Sequence, residues 1–448
     1  MTARRHVLFA CALALLPMPA WAQDSAPEPR VQDSAPEPRP DRYVEAPLDA
    51  AGKAAVAGIN AFAIDLYKAS LAPGKDLFLS PASVSTALGL AYRGARGTTA
   101  EEMRRAVHFS APPAGQIAAN AALLRTLTFR APGRELKVAD ALWLQQGMTF
   151  EPAYLADMKA NYGEVLRPVD FHDKPAARAA INAWVEGETA NRIRELLHEG
   201  DISDTTRAVL VNTIYLKAEW AMPFVVAATR DEPFTLLDGS KITTPLMHQR
   251  ARFDTVARGG VQAIALPYRG GETEMLLFLP KSPKGLPKFE AKLTAQGLDQ
   301  WVKAIHANGD RDTILTLPRF HLAWREDLKD TLAAMGMPTA MSDDADFGAM
   351  KPFAGNESPN ADDHGLQIKH VIHQTFLDVD ENGSEAAAAT AVVMDVIVSG
   401  LRRGPPPPPP VIFRADRPFL LAIRDTRTGA VLFLGRVAHK VMPPTVGD

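Results

Sequence analysis

Cysteine is almost missing from this chain: 448 residues contain a single one, Cys11. It lies inside the apolar run Val7 to Leu16, which follows Arg4 and Arg5 and precedes Pro19-Ala20-Trp21-Ala22. That order of basic, apolar and small-residue segments predicts a secretory signal over residues 1–22, cleaved after Ala22, and hence a periplasmic or secreted protein. The run is far shorter than the roughly 20 residues a membrane-spanning helix needs. Cys11 sits in the middle of the run, which argues against a lipid-modified cysteine. The exported chain would then hold no cysteine, so its stability must come from a core and not from disulfides.

Excess charge is also lacking. The formal net charge is -3, and basic pairs such as Arg104-Arg105 are local, so nothing points to a nucleic acid or an anionic membrane as partner. The motifs of catalysis are absent too: there is no G-x-S-x-G, no H-E-x-x-H and no P-loop. Ser80 and His373 have no clear triad partner, so no catalytic residue is assigned and the chain is read as a non-enzyme. His364, His370 and His373 lie close together, but without cysteine or closely spaced acidic ligands they do not predict a metal site. No cofactor is expected.

What is present begins with the repeat Gln23-Asp24-Ser25-Ala26-Pro27-Glu28-Pro29-Arg30, which recurs as Gln32-Asp33-Ser34-Ala35-Pro36-Glu37-Pro38-Arg39. Such Pro/Glu/Ser composition buries too little apolar surface to order itself, so 23–48 is read as a linker. Residues 49–440 have ordinary globular composition and read as one domain, with 441–448 a tail. Helices are predicted over Asn60 to Leu71, over Ala82 to Arg93 with Ser80 as cap and Pro81 in the first turn, from a capping-box-like start at Thr98, over Ile181 to Leu197 and over Asp327 to Met335. Strands are predicted at Val138 to Leu144 and Val209 to Leu216, and then at 235–236, 262–267, 274–280, 313–320, 375–379, 411–414, 419–424 and 430–436. Helices early and strands late, without regular βαβ alternation, give α+β with a large mixed or antiparallel sheet.

The segment Glu381-Asn382-Gly383-Ser384-Glu385-Ala386-Ala387-Ala388-Ala389-Thr390 stands apart. By propensity its alanines favour a helix. As a strand, Ser384, Ala386, Ala388 and Thr390 share one uncharged face, while Glu385, Ala387 and Ala389 share the other. Local sequence leaves both readings open.

Several blocks together resemble the serpin family. They are Phe78-Leu79-Ser80-Pro81-Ala82-Ser83 with Gly94 to Thr99; Ile181-Asn182-Ala183-Trp184; Val211-Asn212-Thr213-Ile214-Tyr215-Leu216-Lys217 with Trp220; Leu317-Pro318-Arg319-Phe320; and Arg417-Pro418-Phe419 with Leu432 to Val437. The resemblance implies a serpin fold of three β-sheets and about nine helices, with an exposed reactive-centre loop over about 381–412. It also implies a function: a target serine or cysteine protease attacks the loop, and the cut loop enters the main sheet as an extra strand. The protease is thereby trapped as a covalent acyl complex. The inhibitor would act as a monomer.

In this resemblance Glu381, Gly383, Ser384, Glu385, Ala386, Ala387, Ala388, Ala389 and Thr390 form the hinge. Ser80, Ser83, Asn212, Trp220 and His373 match residues controlling sheet opening. Counting the family's usual spacing from Glu381 selects Ile397-Val398 as the reactive bond. The loop is longer than the family norm around Pro405 to Pro410, so Arg402 and Arg403 are the rival bait. Non-inhibitory binding proteins and simple protease substrates are the alternative functions. Non-inhibitory members tend to carry bulky, charged or proline residues in the hinge, whereas Ser384 to Ala391 has none except the outward-facing Glu385.

Overall fold

The computed structural model describes residues 48–163, 165–350, 366–384 and 408–439. In chain order these residues form α1 (Ala50–Ala69), β1 (Leu77–Leu79), α2 (Pro81–Gly94), α3 (Gly97–Ala106), α4 (Pro113–Leu127), β2 (Phe129–Ala131), β3 (Arg134–Gln145), α5 (Pro152–Tyr162), β4 (Leu166–Val169) and α6 (Lys174–Glu188). Next come β5 (Ala208–Glu219), β6 (Arg230–Thr235), β7 (Lys241–Arg258), β8 (Val261–Pro267), β9 (Thr273–Pro280), α7 (Gly285–Lys292), α8 (Ala295–Ala307), β10 (Asp310–Pro318), β11 (Phe320–Asp327) and α9 (Lys329–Ala334). The last strands are β12 (Val371–Val379), β13 (Gly383–Ser384), β14 (Val411–Arg414), β15 (Phe419–Asp425) and β16 (Val431–Val437).

Hydrogen bonding joins the described strands into two networks. One has nine strands in the order β1-β16-β15-β9-β8-β7-β10-β14, with β6 also on β7. The other has seven, in the order β11-β12-β13-β5-β3-β2, with β4 also on β3. The three sheets expected from the family reduce to two networks because β7 is long enough to serve two neighbourhoods. Its first residues pair with β6, its middle with β10, and Asp254 to Arg258 with β8.

Alternation along the strands builds the layers. In β9, Met275, Leu277 and Leu279 face a core shared with the seven-stranded sheet, while Leu276 and Phe278 face the helices. In β15, Phe419, Leu421 and Ile423 join the inter-sheet core, and Leu420 and Ala422 join the helical side. Helix α6 covers the outer face of the seven-stranded sheet, where Ala177, Ile181 and Val185 pack with Ala141, Trp143, Val209, Val211 and Ile372.

Three helix expectations need correction, the first being Asn60 to Leu71, which begins earlier, at Ala50, because the Asp49 side chain caps it by accepting the Gly52 N–H at 2.7 Å. The helix predicted over Ile181 to Leu197 begins earlier, at Lys174, and stops at Glu188, because Ala190 and Asn191 turn left-handed at φ 48° and 63°. Helix α3 is capped by Arg96 without a side-chain bond, and Thr99 instead accepts the Asp346 N–H at 2.9 Å. Ser80 does cap α2, accepting the Ser83 N–H at 3.4 Å, with Pro81 in the first turn.

Candidate functional site: a seam in the seven-stranded sheet

Strands β12 and β5 run parallel, side by side, yet among the described residues they pair directly at only two registers, Val371↔Leu210 and Ile372↔Val211. At their other ends β13 lies between them, antiparallel to both, with Ser384 opposite Val379 and Ala218, and Gly383 opposite Glu219. The two strands are therefore already parted at one end and closed at the other. On their facing edges, 373–378 and 212–217 show no ladder among the described residues.

A tight turn delivers β13. The Asp380 carboxylate accepts the N–H groups of Asn382 at 2.8 Å and Gly383 at 3.1 Å, and Asp380 N–H donates to the Gly383 carbonyl at 3.0 Å. Burial pushes the Asp380 carboxyl up, against the pull of those two amides. Gly383 is required by close approach, since a Cβ there would lie 2.1 Å from the Ala218 carbonyl oxygen.

The open end is held by residues from four neighbouring segments. Trp220 donates its backbone N–H to Asn382 at 2.7 Å and its indole N–H to the Asp380 carbonyl at 2.9 Å. Its ring stacks on Tyr268 with centroids 4.6 Å apart and planes 5° off parallel. The Tyr268 hydroxyl and the Ser384 hydroxyl share a buried hydrogen bond of 2.6 Å. Glu381 is 2% exposed, and its carboxylate takes a forked pair from Arg319 at 2.6 to 2.8 Å, with Thr229 as a further donor. A buried carboxylate needs such compensation, since it cannot keep its charge in an apolar site unpaired.

At the closed end lies a polar cluster. His373 Nε2 accepts the Ser80 N–H at 3.0 Å, which places the ring's proton on Nδ1 in the neutral tautomer. Burial pulls the His373 pKa down to about 3. The Ser80 hydroxyl donates to the Leu432 carbonyl at 2.7 Å, and the Ser83 hydroxyl is buried without a partner. Asn212 does not bond His373; its amide donates to Asp140 on β3, directly opposite in register. Burial pushes that carboxyl up to about 7. His373 Nδ1 and Asn212 Oδ1 are both buried and unpaired, at the first registers beyond the β12–β5 pairing.

Of the predicted site residues, Glu381, Gly383, Ser384 and Trp220 meet at the open end, and Ser80, Ser83, Asn212 and His373 cluster at the closed end. Glu385 to Thr390, Ile397, Val398, Arg402 and Arg403 lie outside the described residues. Sequence reasoning missed Tyr268, Thr229 and Asp140, which come from distant segments. Arg319 was visible in Leu317-Pro318-Arg319-Phe320, but its role depends on a contact 62 residues away. His370 bonds Asp327 at 2.6 Å. No helix among the described residues is long and apolar enough to cross a membrane.

Comparison with known proteins agrees with this geometry. The profile of the family described as "Serpin (serine protease inhibitor)" matches residues 57–440. An uncharacterized serpin-like protein of Thermococcus kodakarensis is 34% identical over 391 residues, covering 86% of each chain. Leukocyte elastase inhibitor of Bos taurus is 34% identical over 388 residues, covering 84% of this chain and 97% of that protein. Among solved structures, human thyroxine-binding globulin complexed with thyroxine superposes with a TM-score of 0.74 at 27% identity, covering 88% of this chain and all of that one. An elastase inhibitor and a thyroxine-binding protein thus stand among its relatives, and the chain belongs to the serpin family.

Proposed function

We propose that this serpin is an irreversible suicide inhibitor of a serine or cysteine endopeptidase, exported from the cell and acting as a monomer. The observation that carries the reading is β13, two residues of hinge already seated between β12 and β5.

Continuing that register after loop cleavage gives a definite geometry. Glu385 would come opposite Asp378 and Lys217, and each further residue would step down both strands until Thr390 reached His373 and Asn212. Six residues, Glu385 to Thr390, would fill the seam before the first β12–β5 pair had to break. Ser384 shares the buried face with Val379 and Ala218, so Ala386, Ala388 and Thr390 would point the same way. Methyl groups suit a face lined by Leu377, Thr375, Leu216 and Ile214, where a larger or charged side chain would clash or lose its hydration. The Thr390 hydroxyl supplies one acceptor and one donor, which are the groups that His373 Nδ1–H and Asn212 Oδ1 lack.

The protease would cut the Ile397–Val398 bond, with Arg402 or Arg403 the rival position. Ile397 keeps the inserting buried face free of charge, whereas Arg402 would fall on it. Incubation with a panel of proteases, followed by denaturing electrophoresis and mass spectrometry of the released C-terminal peptide, tests both points. An SDS-stable complex released after Ile397 is expected. A stable complex cleaved after Arg402 would move the bait, and cleavage by every protease without any complex would leave the chain a substrate.

A further inference from the structure

We propose that Asn382-Gly383, in the turn that delivers β13, is a self-modifying site, where the Gly383 nitrogen closes on the Asn382 side chain with Asp380 as the base and the hinge ages to an acid. A glycine after an asparagine places no Cβ in the way of that closure. Asn382 is partly exposed, and its side-chain amide makes no hydrogen bond among the described residues, so it is free to turn onto the next peptide nitrogen.

The peptide unit between the two residues is polarised at both ends. Trp220 N–H donates to its carbonyl oxygen at 2.7 Å, and the Asp380 carboxylate accepts its N–H at 3.1 Å, inside the roughly 2.6–3.2 Å reach of a general base. A donor on the oxygen and a carboxylate on the N–H both favour the deprotonated amide, which is the nucleophile of this reaction. Burial makes the Asp380 carboxyl more basic, and neighbouring Glu381 adds to that, while the Asn382 and Gly383 amides and Arg319 pull the other way.

Asp380 takes the Gly383 proton as the nitrogen bonds to Asn382 Cγ. The Cγ–Nδ2 bond then breaks, and the proton leaves with ammonia. The ring holds the Gly383 nitrogen between two carbonyls, so the N–H that bonded Asp380 is gone. Water opens the ring at either carbonyl, giving aspartate if the new N–Cγ bond breaks and isoaspartate if the original peptide bond breaks. Either product sets a third carboxylate beside Asp380 and Glu381, and isoaspartate also adds a methylene to the backbone. Gly383 has no room to shift, since even a Cβ there would lie 2.1 Å from the Ala218 carbonyl oxygen, so β13 should leave its seat.

The test is to incubate the intact protein, and in parallel the urea-unfolded chain, and then follow residue 382 by mass spectrometry after denaturation and digestion. Conversion in the folded state is expected at a rate nearly constant from about pH 7 to 8.5, because a carboxylate base is already ionised there, whereas hydroxide catalysis rises about tenfold per pH unit. Asp380→Asn should slow conversion at least tenfold, and Asn382→Gln, whose longer side chain cannot close the same ring, should abolish it. If Asp380→Asn does not fold, the pH profile of the wild type decides. No conversion in the folded protein while the unfolded chain converts fully would overturn the site, and a tenfold rise per pH unit, or wild-type speed in Asp380→Asn, would overturn the base. The aged protein should exchange the Trp220 and Phe224 amides at least threefold faster, and unchanged exchange would overturn the effect on β13. A parallel rise in inhibitor consumed per protease rests on the inhibitory reading above. Conversion and exchange use no protease, so they stand or fall separately from that function.

Discussion

Replacing Ser384 by Arg tests the seam at its entrance. Ser384 is fully buried, and its hydroxyl shares a 2.6 Å bond with Tyr268. The residues directly opposite in the ladder, Val379 and Ala218, offer an arginine no carboxylate. An unpaired charge forced into such a site costs several kcal/mol, about 3–5 by analogy with broken buried pairs. The intact protein escapes that cost by withdrawing β13, losing only two residues of pairing. The inserting form has no such escape, because Ser384 must enter before any residue that follows it. A barrier raised by about 3–5 kcal/mol slows insertion roughly 10²- to 10⁴-fold, at about 1.4 kcal/mol per tenfold. Deacylation then wins, and the variant becomes a substrate. The assay is the number of inhibitor molecules consumed per protease inactivated, read with the yield of SDS-stable complex. A variant that inhibits with wild-type stoichiometry would refute the insertion reasoning.

Further outcomes follow from the same contacts. Tyr268→Phe leaves the Ser384 hydroxyl buried and unpaired, a loss of about 1–3 kcal/mol, and should speed amide exchange of Trp220 and Phe224, which donate to the Asn382 and Glu381 carbonyls. Thr390→Val should lower the stability of the loop-cleaved form by about 1–3 kcal/mol and leave the intact form unchanged, as measured by denaturant titration of each. The pH dependence carries two opposing slopes. His373 titrates near 3 in the fold against 6.5 unfolded, so between those values the unfolded chain holds the extra proton and stability falls as pH falls. Asp140 titrates near 7 in the fold against 3.8 unfolded, so there the native state holds the extra proton and stability falls as pH rises. The two cancel between about pH 4 and 6.5. Relative to wild type, His373→Gln should make stability fall with rising pH over that window, by up to about 1.4 kcal/mol per pH unit, and Asp140→Asn should do the reverse. Parallel curves for the three proteins would contradict both assignments.

The sequence carried the architecture where patterns are local. Ser80 and Pro81 start α2 because a cap and a first-turn proline act within one turn of helix. The strand blocks at 209–216, 274–280 and 419–424 were visible because their β-branched and aromatic runs fill a pleated face. Strand β7 escaped notice, since its residues alternate with charged ones that mark no core: Arg250 and Arg252 pair across to Asp312 and Asp310 on β10, and Asp254 meets His306 on α8. The helix over Ile181 to Leu197 was overextended because apolar spacing continues through Ile193 and Leu196, which remain buried although the backbone has already turned. At the site, Glu381, Gly383, Ser384 and Trp220 were legible as residue types at spacings. Tyr268, Thr229 and Asp140 were not, because each acts only across a contact between distant segments, and a tyrosine or threonine in a strand-rich region has no pattern of its own. The partner of Asn212 was equally hidden, because Asp140 stands directly across the ladder but 72 residues away in the chain.

The measurement that bears most directly on the seam is the unfolding of the intact protein set against the same protein cut in its loop. Insertion adds a dozen or more ladder hydrogen bonds at about 1 kcal/mol net each, on the order of 10 kcal/mol in total. At about 2.1 cal/mol/K of unfolding entropy per residue over the domain at 57–440, each kcal/mol is worth about 1.2 °C, so the cut form should melt about 12 °C above the intact one. A cut form that melts at the temperature of the intact protein, or below it, would mean that the seam between β12 and β5 does not accept the loop.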